Sequence, residues 1–132
     1  MGCCQSTPQS VGDLLHAALA RAHWRASAPA ASAEDPSQNL RVEIYLETEG
    51  GCIRRIDYRC SSCASLIAYC EAMVRLACGR GVAEAARLDA ADLIGSVAGV
   101  PGYRHDRARL AAAAFRQALS KHLPHGERSP SR

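Results

Sequence analysis

The sequence predicts an α+β domain in which helices pack on one face of a small antiparallel sheet, and three observations predict it. Leu40-Arg41-Val42-Glu43-Ile44-Tyr45-Leu46-Glu47 alternates apolar and polar side chains, the pattern of a strand with one face on a core and one in water. After the turn Thr48-Glu49-Gly50-Gly51, Cys52 to Arg59 returns as a second strand with Ile56 and Tyr58 on one face, so the two form a hairpin. From Cys63 to Cys78 the apolar positions 63, 66, 67, 70, 73, 74 and 77 fall on one helical stripe, with Glu71, Arg75 and Cys78 turned away. Gly79 stands where a left-handed C-terminal cap is expected. A hairpin between helical segments buries its apolar face by stacking those helices on it.

The remaining elements follow in order. Met1-Gly2-Cys3-Cys4-Gln5-Ser6 matches the N-myristoylation pattern at Gly2, with Cys3 and Cys4 as sites for a second acyl anchor. Otherwise it is a frayed terminus, and a membrane enters only if Gly2 is acylated. Residues 1–10 are expected to form a flexible N-terminus, 11–123 a single domain and 124–132 a disordered tail. Ser10-Val11-Gly12-Asp13 carries helix-start chemistry, and Leu14, Leu15, Ala18, Leu19 and Ala22 extend it to a helix of about three turns ending near Trp24. Ala26 to Asn39 has neither period and reads as a loop or an irregular edge segment. Val82 to Leu88 and Asp89 to Val97 suggest two short helices, the second capped by Asp89 with Leu93, Ile94 and Val97 inward. Pro101-Gly102 breaks the chain. A last helix from about Asp106 places Leu110, Ala111, Ala114, Phe115, Ala118 and Leu119 inward and Arg107, Arg109, Arg116 and Lys121 in water.

Composition narrows the function. In 132 residues, 48% hydrophobic but only 5% aromatic, the core must be built from small and aliphatic side chains. Sixteen basic against thirteen acidic side chains, a formal +3, do not make a nucleic-acid surface. The sequence has neither the roughly 18 uninterrupted apolar residues of a membrane span nor a secretory leader, so a cytoplasmic location is expected. In that compartment the seven cysteines read as free thiols, metal ligands or redox groups rather than a disulfide scaffold.

Cys60-Ser61-Ser62-Cys63 is the thiol pair at metal-ligand or redox spacing, and it lies where a strand hands over to a helix N-terminus. Partial positive charge from the unpaired first N–H groups, together with Arg59, favours a thiolate there, able to bind iron or accept persulfide sulfur. A closed metal site needs four ligands and the pair supplies two. Both residues also suit plain packing as small hydrophobes. Cys70 lies within the apolar stripe as core, Cys52 and Cys78 have no evident partner, and His105 is a candidate nitrogen ligand. No Ser-His-Asp order, paired carboxylates or phosphate loop is present, so no enzymatic activity is expected.

Leu40 to Leu119 resembles the NifU/IscU-type N-terminal domain, the scaffold on which iron–sulfur clusters are assembled. The resemblance lies in the strand Leu40–Glu47, Gly51-Cys52-Ile53, Tyr58-Arg59 followed by Cys63-Ala64-Ser65 and Ile67-Ala68, Gly79, Val100-Pro101 and Leu110-Ala111 with Ala114. His23-Trp24-Arg25 with Pro29 echoes the family's His-Tyr-x-x-Pro. It implies a NifU/IscU/SufE-like fold, an iron–sulfur cluster or iron as cofactor, a cysteine desulfurase and cluster-acceptor proteins as partners, and a homodimer if two Cys60-Cys63 pairs are to supply four thiolates. Of the family's three cluster cysteines, only the central one is matched, by Cys63. No cysteine lies between Cys4 and Cys52, where the family's Cys-Gly-Asp loop would fall, and Asp35 is the available stand-in for its aspartate. Asp106-Arg107 occupies the place of the family's His-Cys, as an N-cap with a surface charge or as an ion pair filling the vacated pocket. The stretch before Leu40 is shorter than the family's, short enough to leave out its first edge strand. A sulfur-relay partner taking persulfide on one thiol, as SufE-like proteins do, and an interaction module that lost the chemistry are the alternative readings.

Overall fold

The structure is a computed structural model that describes residues 7–122, so Gly2, Cys3, Cys4 and the tail after 122 lie outside it. The elements are β1 (Gln9–Ser10), α1 (Val11–Ala20), β2 (Ala31–Asp35), β3 (Leu40–Glu49), β4 (Cys52–Cys60), α2 (Ala64–Ala77), α3 (Val82–Ala85), α4 (Ala90–Ser96), β5 (Val97–Ala98) and α5 (Asp106–Ser120). One antiparallel sheet runs β2-β3-β4, and β1 pairs with β5 in parallel.

The hairpin forms as its alternation requires. Val42 lies opposite Cys60, Ile44 opposite Tyr58 and Leu46 opposite Ile56, and the register shifts by a bulge between Glu47 and Thr48. Val42, Ile44, Ile56 and Tyr58 are buried beneath α2 and α5, whose inward faces carry Leu66, Cys70, Met73, Phe115 and Leu119. Gly79, at φ +85°, turns the chain out of α2 in the left-handed conformation that its position after the helix implied. Asp89 and Asp92 form a reciprocal capping box at the start of α4, with Leu93 and Val97 buried and Ile94 partly so.

Four expectations are corrected. The segment read as a loop or an irregular edge segment contains the regular edge strand β2, with Ala31 opposite Ile44 and Asp35 opposite Leu40, so an edge strand is present despite the short connection. Its inward positions are alanines, which give a weak apolar signal yet let α5 pack closely over them. Helix α1 begins as expected, with the Ser10 hydroxyl accepting from the Asp13 N–H at 3.0 Å, but ends a turn early, leaving Leu19 87% exposed. Gln9 and Ser10, assigned to the flexible terminus, are paired with β5.

The fourth correction concerns Glu71. Expected on the wet face of α2, it is 1% exposed, because α1 packs along that side of α2 and delivers Arg21 to it. Arg21 Nε donates to Glu71 Oε2 at 2.8 Å and its Nη2 to Asp57 Oδ1 at 2.8 Å. The Tyr58 hydroxyl donates to Glu71 at 2.8 Å, and the Trp24 N–H donates to Asp57 at 2.7 Å. Two carboxylates sealed between helix and sheet are thus each held by several donors, the condition under which a buried charge is tolerated. Burial alone would raise the Asp57 carboxyl, but the Arg21 hydrogen bond and the N–H groups of Trp24 and Tyr58 outweigh it and hold the group below its ordinary value.

Candidate functional site

The site is built where β4 turns into α2. Cys63 is the N-cap residue of α2, at φ −131° and ψ 119°, and its N–H donates to Ser61 O at 2.8 Å, which tightens the turn. Its half-buried sulfur faces the N–H groups of Leu66 and Ser65 and the guanidinium of Arg107 from the first turn of α5. Burial alone would raise the thiol's pKa; the Leu66 N–H and Arg107 outweigh that and bring it below the ordinary cysteine value. The cation that favours the thiolate is Arg107, not the Arg59 expected from its place beside Cys60, since Arg59 is exposed.

Arg107 was expected in water, yet only 12% of its side chain is exposed. Its Nη1 donates at 2.8 Å to both Asp106 Oδ1 and Gln38 Oε1, and Gln38 Nε2 in turn donates to Asp35 Oδ2 at 2.9 Å and to Asp106. The ion-pair alternative for Asp106-Arg107 therefore holds and the N-cap assignment does not: His105 is the N-cap residue of α5, without a side-chain cap bond. Arg107 Nε is buried and has no acceptor among the described residues. It is a spare donor of the same side chain that helps to lower the Cys63 thiol.

The predicted residues separate into two neighbourhoods. Asp35, Asp106 and Arg107 are joined through Gln38, and Arg107 links this group to Cys63. Cys60, at the end of β4, instead turns inward with its thiol against that of the fully buried Cys70. The Cys60-Cys63 pair gains no third ligand: among the described residues no three His, Cys, Asp or Glu side chains converge as a metal needs. His105 makes no side-chain hydrogen bond among the described residues, and Cys52 and Cys78 are exposed free thiols. Among the described residues, one chain therefore supplies fewer than the four ligands of a closed cluster site.

Sequence reasoning weighed Arg107 as a surface charge or an ion-pair partner but did not connect it to Cys63, and it missed Gln38. The inward place of Arg107 could have been found, because it precedes the buried Ala111, Ala114 and Ala118 by four, seven and eleven residues and so shares their stripe. Gln38 gave no signal; it is brought in by the short 3-10 turn Pro36–Gln38 after β2.

A three-stranded antiparallel sheet under helices, with a thiol at the strand-to-helix turn, defines a small α+β domain. The family model for the NifU-like N-terminal domain matches residues 6–128, and the chain belongs to that family of iron–sulfur cluster assembly scaffolds. Among solved structures, it is similar to a hypothetical protein at 17% identity, TM-score 0.62, covering 83% of this chain and 96% of that one. It is also similar to the N-terminal part of a nitrogen-fixing NifU-like protein from Brucella abortus, at 18% identity, TM-score 0.53, covering 76% of this chain and 85% of that one. At these identities the two structures attest the fold alone. No curated protein matches the chain.

Proposed function

We propose that this chain serves iron–sulfur assembly as a sulfur acceptor, taking sulfane sulfur from a cysteine desulfurase on Cys63 and passing it to a cluster-assembling partner. The observation that carries this reading is the Cys63–Arg107 pair: a thiol whose pKa the guanidinium of Arg107 helps to lower, on an arginine whose buried Nε has no acceptor among the described residues, in the place where the family holds further cluster ligands. Sequence reasoning put iron binding through Cys60 and Cys63 first. The donor set favours sulfur transfer, because the described residues bring Cys63 no set of converging metal ligands, while a guanidinium stabilises an anionic thiolate or persulfide.

The Cys63 thiolate attacks the outer sulfur of the donor's cysteine persulfide. A new S–S bond forms, the donor's S–S bond breaks, and its electron pair leaves on the donor cysteine as thiolate. Cys63 then carries the persulfide, whose terminal anion lies within reach of Arg107. No net oxidation occurs, so a thiol and a donor suffice.

The test is anaerobic incubation with a cysteine desulfurase and cysteine, followed by intact mass and peptide mapping. The native chain and Cys60→Ser gain one sulfur atom on Cys63, and Cys63→Ser gains none. In parallel, ferrous iron and sulfide produce no stoichiometric chromophore. A chromophore lost in both Cys60→Ser and Cys63→Ser would overturn the acceptor reading in favour of a cluster-holding scaffold.

A further inference from the structure

Helix α2 carries a thiol at each end, Cys63 before its first turn and Cys78 after its last, with 14 helical residues between them. That length of helix is roughly 21 Å, so whatever lies at Cys78 is remote from the Cys63 turn. At Cys78 the surface opens into a cavity of about 550 Å³, within the range of about 300–1,000 Å³ common to small-molecule sites. Its apolar part is Leu14 from α1 with Ala72 and Leu76 from α2, the first two buried and the third half-buried. Positions 72, 75 and 76 share one face of α2, which is why Arg75 borders that apolar floor. Gly79, at φ +85°, then turns the chain so that Arg80 returns to the same cavity.

The cavity is positive. Arg75 Nη1 donates to the side-chain oxygen of Gln9, a neutral amide in the same wall, and among the described residues Arg75 pairs with no carboxylate. Arg80 meets Glu84 at 3.6 Å, but that carboxylate is 62% exposed and the pair is a loose surface one. No Asp or Glu lines the cavity among the described residues. The carbonyl end of α2 contributes about half a negative charge, against two guanidinium charges.

We infer that this cavity binds a small organic anion, a phosphate or carboxylate group carried on an apolar body. Arg75 and Arg80 take the anion, and Leu14, Ala72 and Leu76 take the body. The guanidinium fork matches both kinds of anion through paired N–H donors. Gln9 holds the Arg75 fork before a ligand arrives, which lowers the cost of ordering it. The apolar floor separates an organic anion from an inorganic one, since an inorganic ion meets the same charges but buries no apolar surface. Cys78, an exposed free thiol in the wall, is shielded when the cavity is filled and so reports its occupancy. None of this depends on sulfur being carried at Cys63.

The test titrates the full chain, at constant ionic strength, with phenyl phosphate, benzoate, inorganic phosphate and phenol. Calorimetry reads binding, and iodoacetamide labelling with peptide mapping reads the rate at Cys78 against that at Cys52, which lies outside the cavity. Phenyl phosphate or benzoate should slow labelling of Cys78 by at least about fivefold at saturation and leave Cys52 unchanged, as blocked access requires. Which of the two binds more tightly tells a phosphate site from a carboxylate site. Arg75→Gln, at an exposed helix position, should weaken that binding by about tenfold, the scale of one hydrogen bond to a charged group. Cys63→Ser should bind as the native chain does, so that failure of the sulfur-acceptor reading leaves this result standing. Neither organic anion protecting Cys78 would overturn the inference. So would inorganic phosphate or phenol protecting it as well as the organic anions do, or binding unchanged in Arg75→Gln.

Discussion

The molecule uses an arginine against carboxylates twice, and the two clusters differ in what they leave over. Arg21 lies between Asp57 and Glu71, each 1% exposed, and spends its donors on both, with Tyr58 and the Trp24 N–H completing the carboxylates' bonds. Arg107 pairs with the more open Asp106 and with Gln38, and its Nε keeps no acceptor while its guanidinium faces a thiol. The first cluster is closed electrostatically and ties α1 to the sheet. The second is left one partner short among the described residues, which suits the proposed role of holding a transient anion.

The comparison breaks most visibly at Arg21. Replacing it by Met leaves two sealed carboxylates without their cation and should cost about 3–5 kcal/mol, the range for breaking a buried pair from one side. Urea unfolding measures this, and a loss below about 1 kcal/mol, the scale of an exposed pair, would place the cluster among surface pairs.

Acid should find the same cluster next. Because the folded Asp57 carboxyl is held below its unfolded value of about 3.9, its contribution is fully present above that value and lost as pH falls through the folded value. Native protein should therefore lose stability more steeply than Asp57→Asn in unfolding series below about pH 4. Parallel curves for the two would remove Asp57 as the acid-sensitive group.

At the open cluster the effect moves from stability to reactivity. Arg107→Ala should change stability by no more than about 1 kcal/mol, since its partner Asp106 is partly exposed. It should nevertheless slow Cys63 alkylation at neutral pH several-fold, with Arg107→Lys between the two. The smallest change is expected for Gln38→Ala, which loosens the Asp35–Asp106–Arg107 bridge at an exposed position and should shift stability by under about 0.5 kcal/mol. A larger effect on Cys63 reactivity from Gln38→Ala than from Arg107→Ala would reverse the assignment of the positioning residue.

The legibility of these parts follows from their physics. Leu40, Val42, Ile44 and Leu46 set a strong period of two, and the α2 stripe from Leu66 to Ala77 an equally strong helical period, so hairpin and central helix were readable. Strand β2 was not, since Ala31 and Ala33 mark its inward face with almost no hydrophobic contrast. Glu71 and Arg107 share one reason: each lies on or beside a buried stripe, but a charge is assigned to water by default, and the partner that reverses this is remote. Arg21 is 50 positions from Glu71, and Gln38 is 69 from Arg107. Cys63 was legible by its place at a strand-to-helix turn, whereas the division between Cys63 with Arg107 and Cys60 with Cys70 depends on side-chain directions that a Cys-x-x-Cys spacing does not encode.

The central claim is that Arg107 makes Cys63 the activated thiol of this domain. Its most direct test is the pH dependence of alkylation at each cysteine, resolved by peptide mass, in native protein and Arg107→Ala. Cys63 should titrate below the ordinary thiol value of about 8.5 in the native chain and move upward in Arg107→Ala, with the exposed Cys52 and Cys78 unchanged. A Cys63 profile identical in both proteins, or one no lower than those of Cys52 and Cys78, would contradict it.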